Sequence, residues 1–249
     1  MAILSIFGGI YCHTEEIVTK LENKLNYRRV DEELLQQTSQ KFGISVEKLQ
    51  KALTDELPPF SKFSNTREKI AAKLKLTLAG ILQQDNLLVT GYPTHLIPRT
   101  ITHMLKVCII ANMDYRVKLA MDTNDLSEKN AHKAIRNDDK KRSSWTNFLL
   151  EKPPFDDSMY DMIIPTQDRT VDEAIELILE QLQSDAVKTT GLSQQAARDF
   201  LLSAKVNHEL TEDGQEVDVY SEDGVVTVML NKYVVRLEKK QEEIGRAHV

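Results

Sequence analysis

The sequence predicts an α/β fold: a parallel sheet flanked by helices, followed by a small α/β unit. Short, continuous apolar runs at Ala2 to Phe7, Leu87 to Gly91 and Val107 to Ala111 suit strands covered on both faces. Segments of helical period separate these runs, which is the pattern of parallel crossovers. After a small, polar stretch at Ser184 to Gly191, with all seven prolines at or before Pro165, a helix leads into two β-rich runs. Ligands of such a sheet gather at the carboxyl ends of its strands.

The elements follow in order. Gly8 and Gly9 close the first apolar run, and Thr14 to Leu25 then places Ile17, Val18, Leu21 and Leu25 on one helical stripe. Tyr27 to Val30 reads as a short strand, Glu32 to Phe42 and Val46 to Leu53 as helices, and Pro58 and Pro59 as a break. A long amphipathic segment from Thr66 to Gln84 leads into LLVTG. After VCIIA come helices at Met113 to Met121 and from near Ser127, the loop PPFDDSMY, and a strand at Met162 to Pro165. Thr170 and Glu173 have capping-box spacing before a helical stripe from Val171 to Leu182. Beyond Gly191 a helix carrying Phe200, Leu201 and Ala204 precedes EVDVY, the turn SEDG and VVTVML, and a further helix is expected from Tyr233.

Composition narrows the function. Of 249 residues, 41% are hydrophobic and 28% charged, with 32 basic against 38 acidic groups, so neither disorder nor a disulfide scaffold fits. A net charge of -6 gives no general drive toward nucleic acid or anionic lipid. Cys12 and Cys108 have no metal-ligand or CxxC spacing and read as reduced core thiols. No apolar run approaches the roughly 20 residues that span a bilayer, and a cytoplasmic protein without a membrane span is expected.

Two segments bear on chemistry. A phosphate-binding loop needs glycines that turn successive amides toward the phosphates, together with a cation and a hydroxyl. The chain offers FGGIYCHTEE at the right place, but none of its nine glycines is followed by lysine. Ile10 and Tyr11 are bulky, and Glu15 and Glu16 put negative charge at the helix start. Gly8 and Gly9 therefore read either as a phosphate cradle or, better, as a plain strand-to-helix turn. From Lys129 to Arg142 there are six basic and two acidic residues, a local +4. Lys129, Lys133, Arg136 and Lys140 share one helical face, and Arg142 is in reach of Asp138 or Asp139. This is either a solvated face or an anion-binding lid. His95 and His103 sit in no metal-binding frame, and no nucleophile elbow is present.

These residues resemble a family. MDYR at Met113 to Arg116, DDKKR at Asp138 to Arg142 and YDMII at Tyr160 to Ile164, in this order, look like the cytidylate-kinase-like family over about Met1 to Leu182. The resemblance implies a nucleoside monophosphate kinase with a parallel P-loop kinase-like sheet, transferring phosphate from ATP to CMP or dCMP with Mg2+. By position it implies that Arg116 and Arg142 grip phosphates, with Asp139 preceding the lid arginine. Asp31 would lie on the acceptor side; Gly8, Gly9 and Arg136 complete the nucleotide-binding set, and no metal-ligating residue is assigned. The catalytic candidates are Arg142 and Asp139. Family members carry a GSGG-like loop where this chain has FGGIYCHT, and an arginine where it has Tyr92. Losing one preorganised charge donor costs about 100- to 1,000-fold in rate, so a nucleotide-binding or regulatory pseudokinase is expected. The alternatives are an active cytidylate kinase and an interaction module without ligand.

The carboxyl-terminal helix and hairpin resemble a BON domain, with DGVVTV the most specific part. Lys205 to Val249 holds six basic and ten acidic residues, a net of -4, which favours a protein partner over anionic lipid. The expected division is 1–183 kinase-like, 184–191 linker, 192–244 BON-like and truncated, and 245–249 a non-native tail, because IGRAHV matches the translation of a common sequencing adapter.

Overall fold

The protein is described by a computed structural model covering residues 2–54, 66–215 and 217–230. The described residues form two compact units. The first comprises residues 2–33, 53–54 and 84–189, and it holds the sheet.

Five strands form that sheet: β1 (Ile3–Gly8), β2 (Arg28–Arg29), β3 (Leu87–Thr90), β4 (Met104–Ile110) and β5 (Met162–Pro165). Their order is β2-β3-β1-β4-β5, and every described pairing is parallel. β1 is buried along its whole length, as a central strand covered on both faces must be. The crossover from β1 leads toward β2 and β3, whereas the crossover from β3 leads to β4 on the other side. The carboxyl end of β1, at Gly8, is therefore where the sheet opens a crevice.

Side-chain alternation divides the core. Leu4 and Ile6 of β1 and Leu105, Val107 and Ile109 of β4 share a cluster with Ile17, Val18 and Leu21 of α1 (Thr14–Leu25) and with Ala174, Ile175 and Ile178 of α7 (Val171–Leu182). The opposite face carries Phe7 and Cys108 against Met159 and Tyr160. α5 (Met113–Asn124) and α6 (Glu128–Leu150) pack through Val117, Ala120, Ala131 and Ile135, with Ile10 and Tyr11 against them. The Thr170–Glu173 capping box forms in full and sets the start of α7.

The second unit comprises residues 34–52, 66–83 and 190–230. α2 (Asp31–Phe42) begins in the first unit and ends in the second, where it is followed by α3 (Val46–Leu53), α4 (Thr66–Ile81), α8 (Gly191–Glu212) and the antiparallel hairpin of β6 (Val217–Glu222) and β7 (Val225–Leu230). α4 is less amphipathic than its sequence suggests: Ile70, Ala71, Ala72, Leu74, Leu76 and Leu78 are all buried, so it is enclosed on most sides. The hairpin rests on α8 through Val206, Leu210 and Val219. Asp199 of α8 ties down the turn, accepting from the amides of Gly224 (2.8 Å) and Asp223 (2.9 Å).

The observed grouping differs from the expected boundaries. Helices between residues 34 and 83 join the carboxyl-terminal helix in the second unit. The 184–191 stretch is not a free linker either, since Val187 is buried in the sheet's core cluster and Thr189 donates to Asp85. The helix expected from Tyr233, the tail at 245–249 and Glu216 lie outside the described residues.

Candidate functional site

The loop of residues 9–13 joins β1 to α1 at the crevice. Glycine serves close packing here. A Cβ at Gly8 would meet the Ile109 carbonyl at 2.8 Å, and one at Gly9 would meet Arg116 Nη2 at 2.9 Å. The left-handed backbone is taken instead by Tyr11 (φ 56) and His13 (φ 57). Non-glycine residues hold that conformation at a cost, so surrounding contacts must enforce it. Tyr11 packs on α5 and α6, and His13 is held between Glu16 (3.0 Å) and the Tyr115 hydroxyl (3.1 Å).

Arg116, on the first turn of α5, reaches into this loop. Its Nε donates to the Ile10 carbonyl at 2.9 Å, while Nη1 and Nη2 donate to Asp139 at 2.9 and 2.8 Å. Burial by itself would lower the Arg116 pKa; the Asp139 bonds outweigh it and hold the guanidinium charged. The Ile10 amide makes a long bond, 3.4 Å, to Asp138. That carboxylate also accepts from Arg142 Nε at 2.5 Å across one helical turn. Arg142 in turn lies over the rings of Phe7 (5.1 Å) and Tyr92 (5.5 Å). Burial pushes the nearby Cys12 thiol up, against the lowering pull of Arg116, so it stays protonated.

The structure thus brings Gly8, Gly9, Arg116, Asp139 and Arg142 to one place at the end of β1. Asp31 sits at the neighbouring strand ends, accepting from Arg29 (3.0 Å) and from the Thr90 hydroxyl (3.0 Å). Arg136 stands apart. It is exposed, like Lys129, Lys133 and Lys140 on the same helix, while Arg142 turns inward.

Sequence reasoning missed two participants. Arg29 binds Glu15 at 2.6 Å as well as Asp31, and Glu15 foremost raises its pKa. The RRVDEE stretch at the end of a short strand was the available signal. Tyr92, which the sequence marks only as the place of an absent arginine, is the other: it faces Arg142 from the residue after Gly91, whose φ of 70 turns the chain out of β3.

The site is a set of ion pairs satisfied from within the chain. Two planar guanidinium forks suited to phosphate or carboxylate oxygens are held by Asp138 and Asp139, and the Ile10 amide points at Asp138.

Residues 3–168 match the Cytidylate kinase-like family. No curated protein sequence matches the chain. Among solved structures, an uncharacterized protein from Eubacterium ventriosum is similar with a TM-score of 0.54 at 19% identity, over 74% of this chain and 99% of that one. That likeness bears on the fold alone. Shikimate kinase from Acinetobacter baumannii in complex with shikimate aligns at a TM-score of 0.42 and 13% identity, over 76% of this chain and 96% of that one. Shikimate kinase from Bacteroides thetaiotaomicron aligns at 0.42 and 12%, over 74% and 100%.

Proposed function

The chain belongs to the Cytidylate kinase-like family, and from that premise we propose that it is a nucleotide-binding or regulatory pseudokinase whose phosphate loop has lost transfer activity. One observation carries this reading: the two arginines matching the family's phosphate-gripping positions are both paired with aspartates of α6. Phosphoryl transfer is mostly positioning and electrostatic stabilisation of the transferred group. Here the positive charge is already balanced, and Ile10 and Tyr11 within the loop pack their apolar side chains on α5 and α6. A nucleotide phosphate can take the carboxylates' place only if α6 yields.

Mg2+ with ATP would serve an active member. Mg2+ takes hard oxygen ligands from one or two carboxylates plus the substrate phosphates. At this loop Asp138 and Asp139 are each committed to an arginine, so the residues present do not fit a resident metal.

The retained Arg116 and Arg142 favour a second reading, an active kinase for CMP or dCMP once α6 opens. A coupled assay with ATP and Mg2+ against CMP, dCMP, UMP and AMP separates the two. We expect no turnover above background together with measurable nucleotide binding. Turnover in the ordinary range of about 1 to 1,000 per second overturns the pseudokinase reading, and no binding of any nucleotide favours the interaction module.

No helix among the described residues is long and apolar enough to cross a membrane, which is compatible with the cytoplasmic location we assign. The BON-like reading of 192–244 rests on the α8–hairpin arrangement and the DGVVTV turn sequence, and its protein partner on the net charge of -4 from Lys205 to Val249.

A further inference from the structure

β4 is an interior strand of the sheet, yet its third residue is Lys106, only 8% exposed. Charged side chains are rarely buried without a charged partner at hand. The ammonium has three N–H donors, and among the described residues it makes one hydrogen bond, to the Ile97 carbonyl at 2.5 Å. Asp161, whose charge favours the ammonium, binds the Lys106 backbone amide at 2.9 Å and gives its other oxygen to Arg99 at 2.7 Å.

Lys106 borders a cavity of about 200 Å³. Ser5 lies beside it on β1, in register and on the same face. The cavity lies two residues back along β1 from Phe7, toward the amino ends of the strands and therefore away from the loop at Gly8. Its lining includes three basic residues, Arg99, Lys106 and Lys152, and no acidic one, in a protein of net charge -6. The remaining wall is largely apolar, with Ile97, Leu150 and Met159. The volume is below the roughly 300–1,000 Å³ of drug-sized sites, which restricts the occupant to a small molecule.

We propose that this cavity is a second ligand site, separate from the kinase-like crevice, that takes a small organic carboxylate: the carboxylate on the uncommitted donors of Lys106, the apolar body against Ile97, Leu150 and Met159. Lys106 supplies the charge-assisted bonds. A single inward-facing ammonium suits a monoanion, and the apolar wall selects against a bare inorganic ion. Burial brings the Lys106 pKa down to about 8, so the group is still mainly protonated near neutrality, and a bound carboxylate would restore its ordinary preference for the charged form. The site does not depend on the nucleotide reading and stands if that reading fails.

The test is calorimetric titration of the full chain with benzoate and hexanoate, beside benzyl alcohol as a neutral match and inorganic phosphate as a bare anion. We expect saturable binding of at least one carboxylate, with benzyl alcohol and phosphate weaker by about tenfold or more. Lys106→Met, which keeps an unbranched side chain of similar length, should weaken carboxylate binding by about tenfold or more. Should that variant not fold, Leu150→Glu at the 40% exposed rim position tests the same site from the surface. Its added charge should weaken carboxylate binding several-fold more than it weakens benzyl alcohol binding, which loses only the Leu150 contact. Absence of carboxylate binding up to about 10 mM overturns the proposal. So does equal binding of benzyl alcohol, tighter binding of phosphate, or undiminished carboxylate affinity in the folded variant.

Discussion

Arg116 and Asp139 form a two-pronged ion pair, at 2.9 and 2.8 Å, and the same guanidinium holds the Ile10 carbonyl of the loop after β1. An anion is thus already bound where a nucleotide phosphate is expected, and it belongs to the chain.

Asp139→Asn should therefore strengthen nucleotide binding, by about tenfold if one competing charge is removed. The same change leaves a buried guanidinium short of its partner, costing about 1–3 kcal/mol of stability. Titration with CMP and ATP, beside denaturant unfolding, reads both effects. Weaker nucleotide binding in a stably folded variant would show that Asp139 assists the ligand.

Trp145 is fully buried, and its indole N–H donates to the Tyr92 carbonyl at 2.8 Å, while the Tyr92 ring faces Arg142. A nucleotide that draws Arg142 off Asp138 must disturb this set. Tryptophan emission should change on nucleotide addition and stop changing in Arg142→Ala. A change of equal size in that variant would place the perturbation elsewhere.

His95 gives the protein an acid limit. Burial, with the Lys106 and Arg142 charges, brings its pKa from 6.5 down to about 3. Tyr160 donates its hydroxyl proton to the Pro154 carbonyl at 2.5 Å, so it can only accept from His95 Nε2, and the imidazole is the neutral Nε2–H form. The unfolded chain takes up a proton near pH 6.5 that the folded chain refuses until about pH 3. Stability must then fall as pH drops through that window, by up to about 1.4 kcal/mol per pH unit from this group. Urea unfolding from pH 7 to 4 should show a shallower loss in His95→Gln, and parallel curves would exclude His95 as the cause.

Asp199 is the clasp of the β6–β7 hairpin, whose turn residues Asp223 and Gly224 both take positive φ. Burial raises its pKa, but the Gly224 amide and the other donors outweigh this and lower it overall. Asp199→Ala should cost about 2–4 kcal/mol locally, since it removes two amide bonds to a charged acceptor. Amide exchange at Val219 and Val228 should accelerate while the β1 and β4 amides hold. Unchanged exchange in the hairpin would mean that its valines suffice.

The local order of the chain was legible in the sequence. Buried parallel strands announced themselves as unbroken apolar runs, α7 by its capping box and stripe, and the Arg142–Asp138 contact by one-turn spacing, because each depends on neighbours within a few residues. Only tertiary structure decided the rest. Arg116 and Asp139 are 23 positions apart, and no period marks them as partners until α5 and α6 pack side by side. Tyr11 and His13 adopt glycine-like φ that their own chemistry disfavours; Tyr11 is held by packing on α5 and α6, His13 by its contacts to Glu16 and Tyr115. Lys106 fell just outside the apolar run at Val107, since a charge normally ends a buried strand. The fold carries β4 back to Met104 because the Ile97 carbonyl and an adjoining cavity receive the ammonium, and both come from segments that sequence proximity could not assign to it.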